Sequence, residues 1–124
     1  MWISVDFNSE EAIYIQLYNQ IVEGIATDRF REGDSLPSVR QLAELVGINM
    51  HTVNKAYSIL RQDGYITLDR RKGAIIALDL DKITATNEMA KDMRKIVARA
   101  ICNRLSTDEI HSIVDEVIEE FNEM

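Results

Sequence analysis

The side chains able to do recognition chemistry fall in two stretches of the chain. Ser38, Arg40, Met50, His51, Thr52, Asn54 and Lys55 stand in the first, and Arg70-Arg71-Lys72-Gly73 makes the second. An asparagine amide can bond an adenine edge through two atoms at once, and a threonine can bond a base or cover a thymine methyl. Lys55, and the pair Ser38 and Arg40 at the start of a helix, suit phosphate oxygens. The basic run could follow phosphates or enter a minor groove. This is the chemistry of holding a duplex, not of making or breaking bonds. His51 and His111 lie in separate segments, and Cys102 is the single cysteine. That excludes a disulfide within the chain and a zinc site built on cysteine pairs. With no nucleophile–base pair, no glycine-rich phosphate loop and no metal-ligand cluster, the expectation is a protein that is not an enzyme and needs no cofactor or metal.

Each of these features has a plainer reading. A three-residue basic run, taken alone, is more often a solvated turn, and His51 alone is a surface histidine. Net charge is −7, which by itself argues against a nucleic acid. Its distribution argues the other way. Between Ser35 and Leu78 there are six basic and three acidic residues, whereas from Asp108 onward there are seven acids and no lysine or arginine. Such asymmetry fits one part that meets phosphate and another that keeps away from it.

The elements that must position these residues can be read in order. Trp2 to Asp6 alternates apolar and polar and predicts a short strand or extended arm. Asn8-Ser9-Glu10-Glu11 offers a helix cap followed by acids, and Tyr14, Leu17, Tyr18, Ile21 and Ile25 then share one helical face, to about Asp28. A loop through Pro37 leads to Ser38-Val39-Arg40-Gln41, a capping box. Val39, Leu42, Ala43 and Val46 form the face of a short helix that Gly47 ends. Asn49 caps the next helix, which turns Val53, Ala56, Tyr57 and Leu60 inward and closes at Asp63-Gly64. Two short helices joined by a tight glycine turn are a helix-turn-helix. Tyr65–Leu68 and Ala74–Leu78 then read as two strands joined by the basic turn, which makes a wing.

After Asp79 the pattern changes to two amphipathic helices. Met89, Met93, Ile96, Val97, Ala100 and Ile101 mark the first. Ser106-Thr107-Asp108-Glu109 is a second capping box, followed by Ile110, Ile113, Val114, Val117, Ile118 and Phe121. The methionines read as core filler, the acids as a solvated face, and Cys102 as buried structure. Units below about 40 residues rarely hold a sufficient core. These stripes therefore need a partner, either the winged domain or a second copy of the chain. The expected architecture is mainly α with a small β-hairpin wing: a winged helix-turn-helix domain over residues 1–78, with an arm at 1–8, and an α-helical hairpin over 79–124.

Leu36-Pro37-Ser38-Val39-Arg40-Gln41-Leu42-Ala43 through Gly47, then Thr52-Val53-Asn54-Lys55-Ala56-Tyr57 and Leu60, then Asp63-Gly64-Tyr65-Ile66, resembles the GntR family of bacterial transcriptional regulators. The likeness covers about residues 10 to 78. The run Thr52–Tyr57, the start Ile13-Tyr14-Ile15-Gln16-Leu17 and the short two-helix tail resemble the YtrA-type subgroup. The resemblance implies that Arg40, the Met50-to-Asn54 end of the recognition helix and Gly73 contact DNA. It also implies that the tail makes a dimer, through Met89, Met93, Ile96, Val97, Ile101, Ile110, Ile113, Val114, Val117, Ile118 and Phe121. Transporter operons are the implied targets. The chain departs from the family pattern at Ala12, Met50, Asn54, Arg71 and Ala74, so an operator sequence does not carry over. The tail is too short for the large effector domains of other relatives, which argues against a small-molecule inducer pocket.

The combined expectation is a repressor that binds a near-palindromic operator as a homodimer, with half-sites roughly 10 base pairs apart. The alternative is a winged-helix module that binds protein instead of DNA. No run of about 18 apolar residues is present to span a membrane, and the first residues lack the basic and apolar regions of a signal peptide. A cytoplasmic location is expected.

Overall fold

The computed structural model describes residues 3–123. Seven elements follow one another: α1 Ile13–Ala26, α2 Val39–Val46, α3 Met50–Gln62, β1 Ile66–Asp69, β2 Gly73–Ile76, α4 Lys82–Cys102 and α5 Thr107–Glu123. They fall into two compact units that divide between Leu80 and Asp81.

The first unit is built around α3. Val53, Ala56, Tyr57 and Leu60 of α3 are buried with Leu17 and Ile21 of α1, Leu42 and Ala43 of α2, and Ile66, Ala74 and Ile76 of the sheet. Each fully buried aliphatic side chain stabilises the unit by about 1.5–3 kcal/mol. Tyr57 is the largest of the group, and its hydroxyl donates to the Pro37 carbonyl at 2.7 Å. This bond fastens the loop before α2 to the middle of α3. Burial pushes the Tyr57 phenol well above its ordinary range.

The caps form where the residue types place them. Ser38 and Gln41 exchange both bonds of a capping box, Gln41 N–H to Ser38 Oγ at 3.1 Å and Ser38 N–H to Gln41 Oε1 at 3.0 Å. Gly47 ends α2 in the left-handed region at φ 77°, where a residue with a Cβ is strained. Asn49 Oδ1 accepts the His51 N–H at 2.7 Å and starts α3.

The start of α1 differs from expectation. Its N-cap is Ala12, with no side-chain bond, and the helix begins at Ile13. The candidate caps upstream are engaged in turns: Asp6 Oδ1 accepts the Asn8 N–H and Ser9 Oγ accepts the Glu11 N–H. The arm that precedes them packs on the first unit. Ile3 and Val5 lie against its core, and residues 3–6 form no strand. Two glutamines of α1 hold the arm in place of a sheet. Gln16, itself buried, accepts the Asp6 N–H at 2.9 Å and donates to the Asp6 and Glu11 carbonyls. Gln20 accepts the Ser4 N–H and donates to the Ser4 carbonyl. Met1 and Trp2 lie outside the described residues.

The wing is antiparallel, with Ile66 opposite Ile76 and Asp69 opposite Gly73. The loop before Pro37 adds to it. Ser35 bridges Ile75, Leu36 N–H reaches the Ala74 carbonyl at 2.8 Å, and Ile76 N–H reaches the Asp34 carbonyl at 2.8 Å. β2 is thus bonded on both edges, which fixes the wing to the helical body.

In the second unit, Asp81 caps α4, accepting from Ile83 N–H and Thr84 Oγ1. Ser106 and Glu109 form the expected capping box before α5. Neither helix contains a buried residue. Ile83, Met89, Ile96, Ile101, Ile113, Val117 and Ile118 are exposed. Cys102 is also exposed, not buried as its residue type suggested. It sits at the last position of α4, a helix that contains no buried residue.

Candidate nucleic-acid interface

The N-terminal ends of α2 and α3 come to the surface together. Val39, Asn49, Met50, His51 and Asn54 line one shallow hollow, which brings three of the expected recognition residues beside the first turn of α2. The first four backbone N–H groups of a helix have no i−4 partner inside it. The Ser38–Gln41 capping box takes up two of them at α2. At α3 the His51 N–H goes to Asn49 Oδ1 and the Thr52 N–H to the Asn49 carbonyl. Those left over give both helix ends a partial positive charge. Ser38 spends a lone pair on its cap, which leaves its hydroxyl proton to donate. Arg40 is exposed in the first turn of α2, and Met50, His51, Asn54 and Lys55 are exposed on α3. Thr52 is half-buried, so its side chain is less accessible than those of its neighbours.

Lys55 has a partner that sequence reasoning missed. Its ammonium sits over the ring of Tyr14 in α1, 4.0 Å from the centroid. Such a contact stabilises by about 0.5–1 kcal/mol at an exposed site. It holds the charge at the outer rim of α3 instead of leaving it free to swing. Only the tertiary packing of α1 on α3 reveals this pair.

The wing tip has its own organiser. Asp69 Oδ1 accepts the N–H of Arg71 at 2.7 Å and of Lys72 at 3.1 Å. These two amides, and then the Lys72 charge, hold the Asp69 carboxyl below the usual carboxylate range. Gly73 closes the turn at φ 77°. The chain reversal leaves Arg70, Arg71 and Lys72 all exposed. An aspartate at the first position of a glycine-closed turn is the signal that could have found this role.

The geometry is thus an open helix end, a second helix end beside it and a cationic hairpin tip, all in one unit. The family model for "Bacterial regulatory proteins, gntR family" matches residues 13–76, from the first residue of α1 to the last of β2. The chain belongs to the GntR family. As a GntR-family transcriptional regulator it carries a DNA-binding domain of the winged-helix kind. It is 28% identical over 118 residues to the HTH-type transcriptional repressor YtrA of Bacillus subtilis (strain 168), covering 93% of this chain and 91% of that one. Among solved structures, it is similar to YtrA from Sulfolobus acidocaldarius, a GntR-family transcription factor (37% identity, TM-score 0.58, 97% and 99% of the two chains). It is also similar to a transcriptional antiterminator from Listeria monocytogenes EGD-e (26% identity, TM-score 0.89, 98% and 92%). The YtrA-type likeness therefore extends beyond the winged unit into the tail.

Among the described residues, no group of three or more His, Cys, Asp or Glu side chains is placed to hold a metal ion. No helix among them is long and apolar enough to cross a membrane.

Proposed function

We propose that this GntR-family regulator is a repressor that binds a near-palindromic operator as a homodimer. Met50, His51, Thr52 and Asn54 read base edges in the major groove. Ser38, Arg40 and Lys55 hold the phosphates, and Arg70, Arg71, Lys72 and Gly73 place the wing along the backbone. A helix-turn-helix uses the N-terminal end of its second helix in this way. Repression is carried over from the name of the Bacillus subtilis relative, which matches over nearly its whole length. By the same family resemblance, the target genes are those of a transporter.

One observation supports the dimer above others: α4 and α5 together contain no buried residue. Close packing between elements involves α1, α2, α3, β1 and β2, whereas the stripes of α4 and α5 stay open. Met89, Ile96, Ile101, Ile113, Val117 and Ile118 are each between 43% and 62% exposed. Met93, Val97, Ile110, Val114 and Phe121 are only half-buried. Contiguous apolar surface of this kind marks an interaction face. A second copy covers both stripes symmetrically.

The deciding experiment is fluorescence anisotropy with the promoter upstream of the protein's own gene, against shuffled DNA, at several salt concentrations. Sedimentation of the free protein runs beside it. A dimer with selective binding that weakens steeply with salt supports the proposal. An intact dimer that binds both DNAs equally and weakly would turn the reading toward a protein-interaction module.

A further inference from the structure

The hollow between the starts of α2 and α3 has an apolar wall as well as amides. Val39 and Met50 are the first residues of the two helices, each directly after its cap. Val39 is partly buried against the core of the first unit, which fixes its place. Met50 is 45% exposed, and its unbranched thioether adapts to a small apolar group. Asn54, one turn further along α3, lines the same hollow with Asn49 and His51. Thr52, whose type also suits a thymine methyl, is half-buried and is not among the residues that line it.

None of Met50, His51, Thr52 and Asn54 carries a guanidinium or an ammonium. The nearby Lys55 ammonium stands over the Tyr14 ring. Guanine turns two acceptors to the major groove, which arginine or lysine meets. Adenine turns a donor and an acceptor, which an asparagine amide meets, and its thymine partner adds a methyl group. An apolar wall with an asparagine amide beside it therefore matches an A·T pair better than a G·C pair. We propose that Val39 and Met50 form a seat for the 5-methyl group of a thymine, and that Met50 thereby selects an A·T pair in each half-site. The inference rests on the reading above that this end of α3 enters the major groove. Covering one methyl group changes affinity by about fourfold, and two half-sites together by about fifteenfold.

The test uses the full-length protein and the duplex that wild type selects from a random library. Each thymine is replaced in turn, in both half-sites together, by deoxyuridine. This base keeps the pairing and the O4 acceptor and lacks only the methyl. Wild type should lose about fifteenfold at one thymine of each half-site. Met50→Ala should cut that loss to less than about twofold, while binding the uracil duplex as wild type does. Met50→Leu, which keeps an apolar side chain of similar volume, should retain the loss. The seat is overturned if no thymine responds in wild type, or if the selected half-sites hold only G·C pairs. It is also overturned if Met50→Ala keeps the full loss or Met50→Leu behaves as the alanine variant does. A wild type that selects no duplex at all instead overturns the functional reading, and the seat with it.

Discussion

The Tyr57 hydroxyl and the Pro37 carbonyl, 2.7 Å apart, join the middle of α3 to the loop that leads into α2. Both helices that carry the candidate interface are referred to each other through this bond. Tyr57→Phe keeps the ring and its packing but leaves the carbonyl without this donor. The expected loss is about 1–3 kcal/mol in urea unfolding. The titration gives an independent check. Burial raises the folded phenol above its unfolded value of about 10. Its contribution is therefore fully present below about pH 10 and is lost as the pH rises above that. Wild type should lose more stability than Tyr57→Phe between about pH 9.5 and 11. Parallel curves for the two proteins would refute the assignment.

Gly47 and Gly64 both hold positive φ, at 77° and 87°, but their surroundings differ. Nothing lies within 4 Å of a Cβ built at Gly47, whereas at Gly64 it meets the Asp79 carbonyl oxygen. Gly47→Ala should therefore cost only the left-handed penalty, about 1–2 kcal/mol. Gly64→Ala adds a backbone clash that no rotamer change relieves, and it should lower the melting temperature further. Equal melting temperatures for the two variants would show that the chain at Asp79 can shift aside without cost.

What could be read from the chain divides along the range of the interactions. Ser38, Asn49 and Ser106 form the expected caps because a capping bond spans only two or three residues. The buried face of α3 matches its 3.6-residue period at Val53, Ala56, Tyr57 and Leu60. Contacts between distant segments left no local trace. Lys55 meets Tyr14, Glu32 meets Leu78, and Ser35 bridges β2, each through tertiary packing. α1 starts at Ile13, later than the Asn8-Ser9 pattern predicts, because Asn8 and Ser9 are as good in turns as in caps. The polar Gln16, whose type favours the surface, is buried because it supplies the bonds the arm would otherwise take from a sheet.

Asn54 and Lys55 are neighbours on α3 with different expected effects on binding. Asn54→Ala should cost about 1–3 kcal/mol on the preferred operator and relax selectivity at one base position. Lys55→Ala should weaken all duplexes alike and reduce the slope of log K against log salt by about 1. Anisotropy titrations on an operator panel at varied salt separate the two. A Lys55→Ala protein with an unchanged salt slope would mean that the lysine serves only its contact with Tyr14.

Asp69 makes the wing tip sensitive to acid. Its folded carboxyl titrates below its ordinary value, chiefly because of the Arg71 and Lys72 amides. Its ordering of the tip is therefore present above about pH 4, the unfolded value, and is lost as the pH falls through the lower folded one. Asp69→Ala should expose the Arg71 and Lys72 amides to faster hydrogen exchange at neutral pH, while Asp69→Asn, which keeps an acceptor, should protect them partly. Operator affinity should fall with the alanine variant, as three cations lose a fixed arrangement. If exchange at both amides is unchanged in Asp69→Ala, the turn is held by Gly73 and the strand pairing alone.

Ile96 and Ile113 lie on the open stripes of α4 and α5, each 49% exposed. On the dimer proposal these side chains lose their remaining water contact against a second copy, so a charge at either position is placed in an apolar interface. Ile96→Glu or Ile113→Glu should convert the dimer to a monomer in sedimentation at micromolar concentration, since an unpaired buried charge costs several kcal/mol. The winged unit has its own core, centred on α3, so its near-ultraviolet spectrum should persist. Affinity for one half-site should survive, whereas the full operator should lose the gain from joining two sites, about 100-fold or more. A variant that stays dimeric with full operator affinity would place the subunit contact elsewhere and leave these stripes for a different partner.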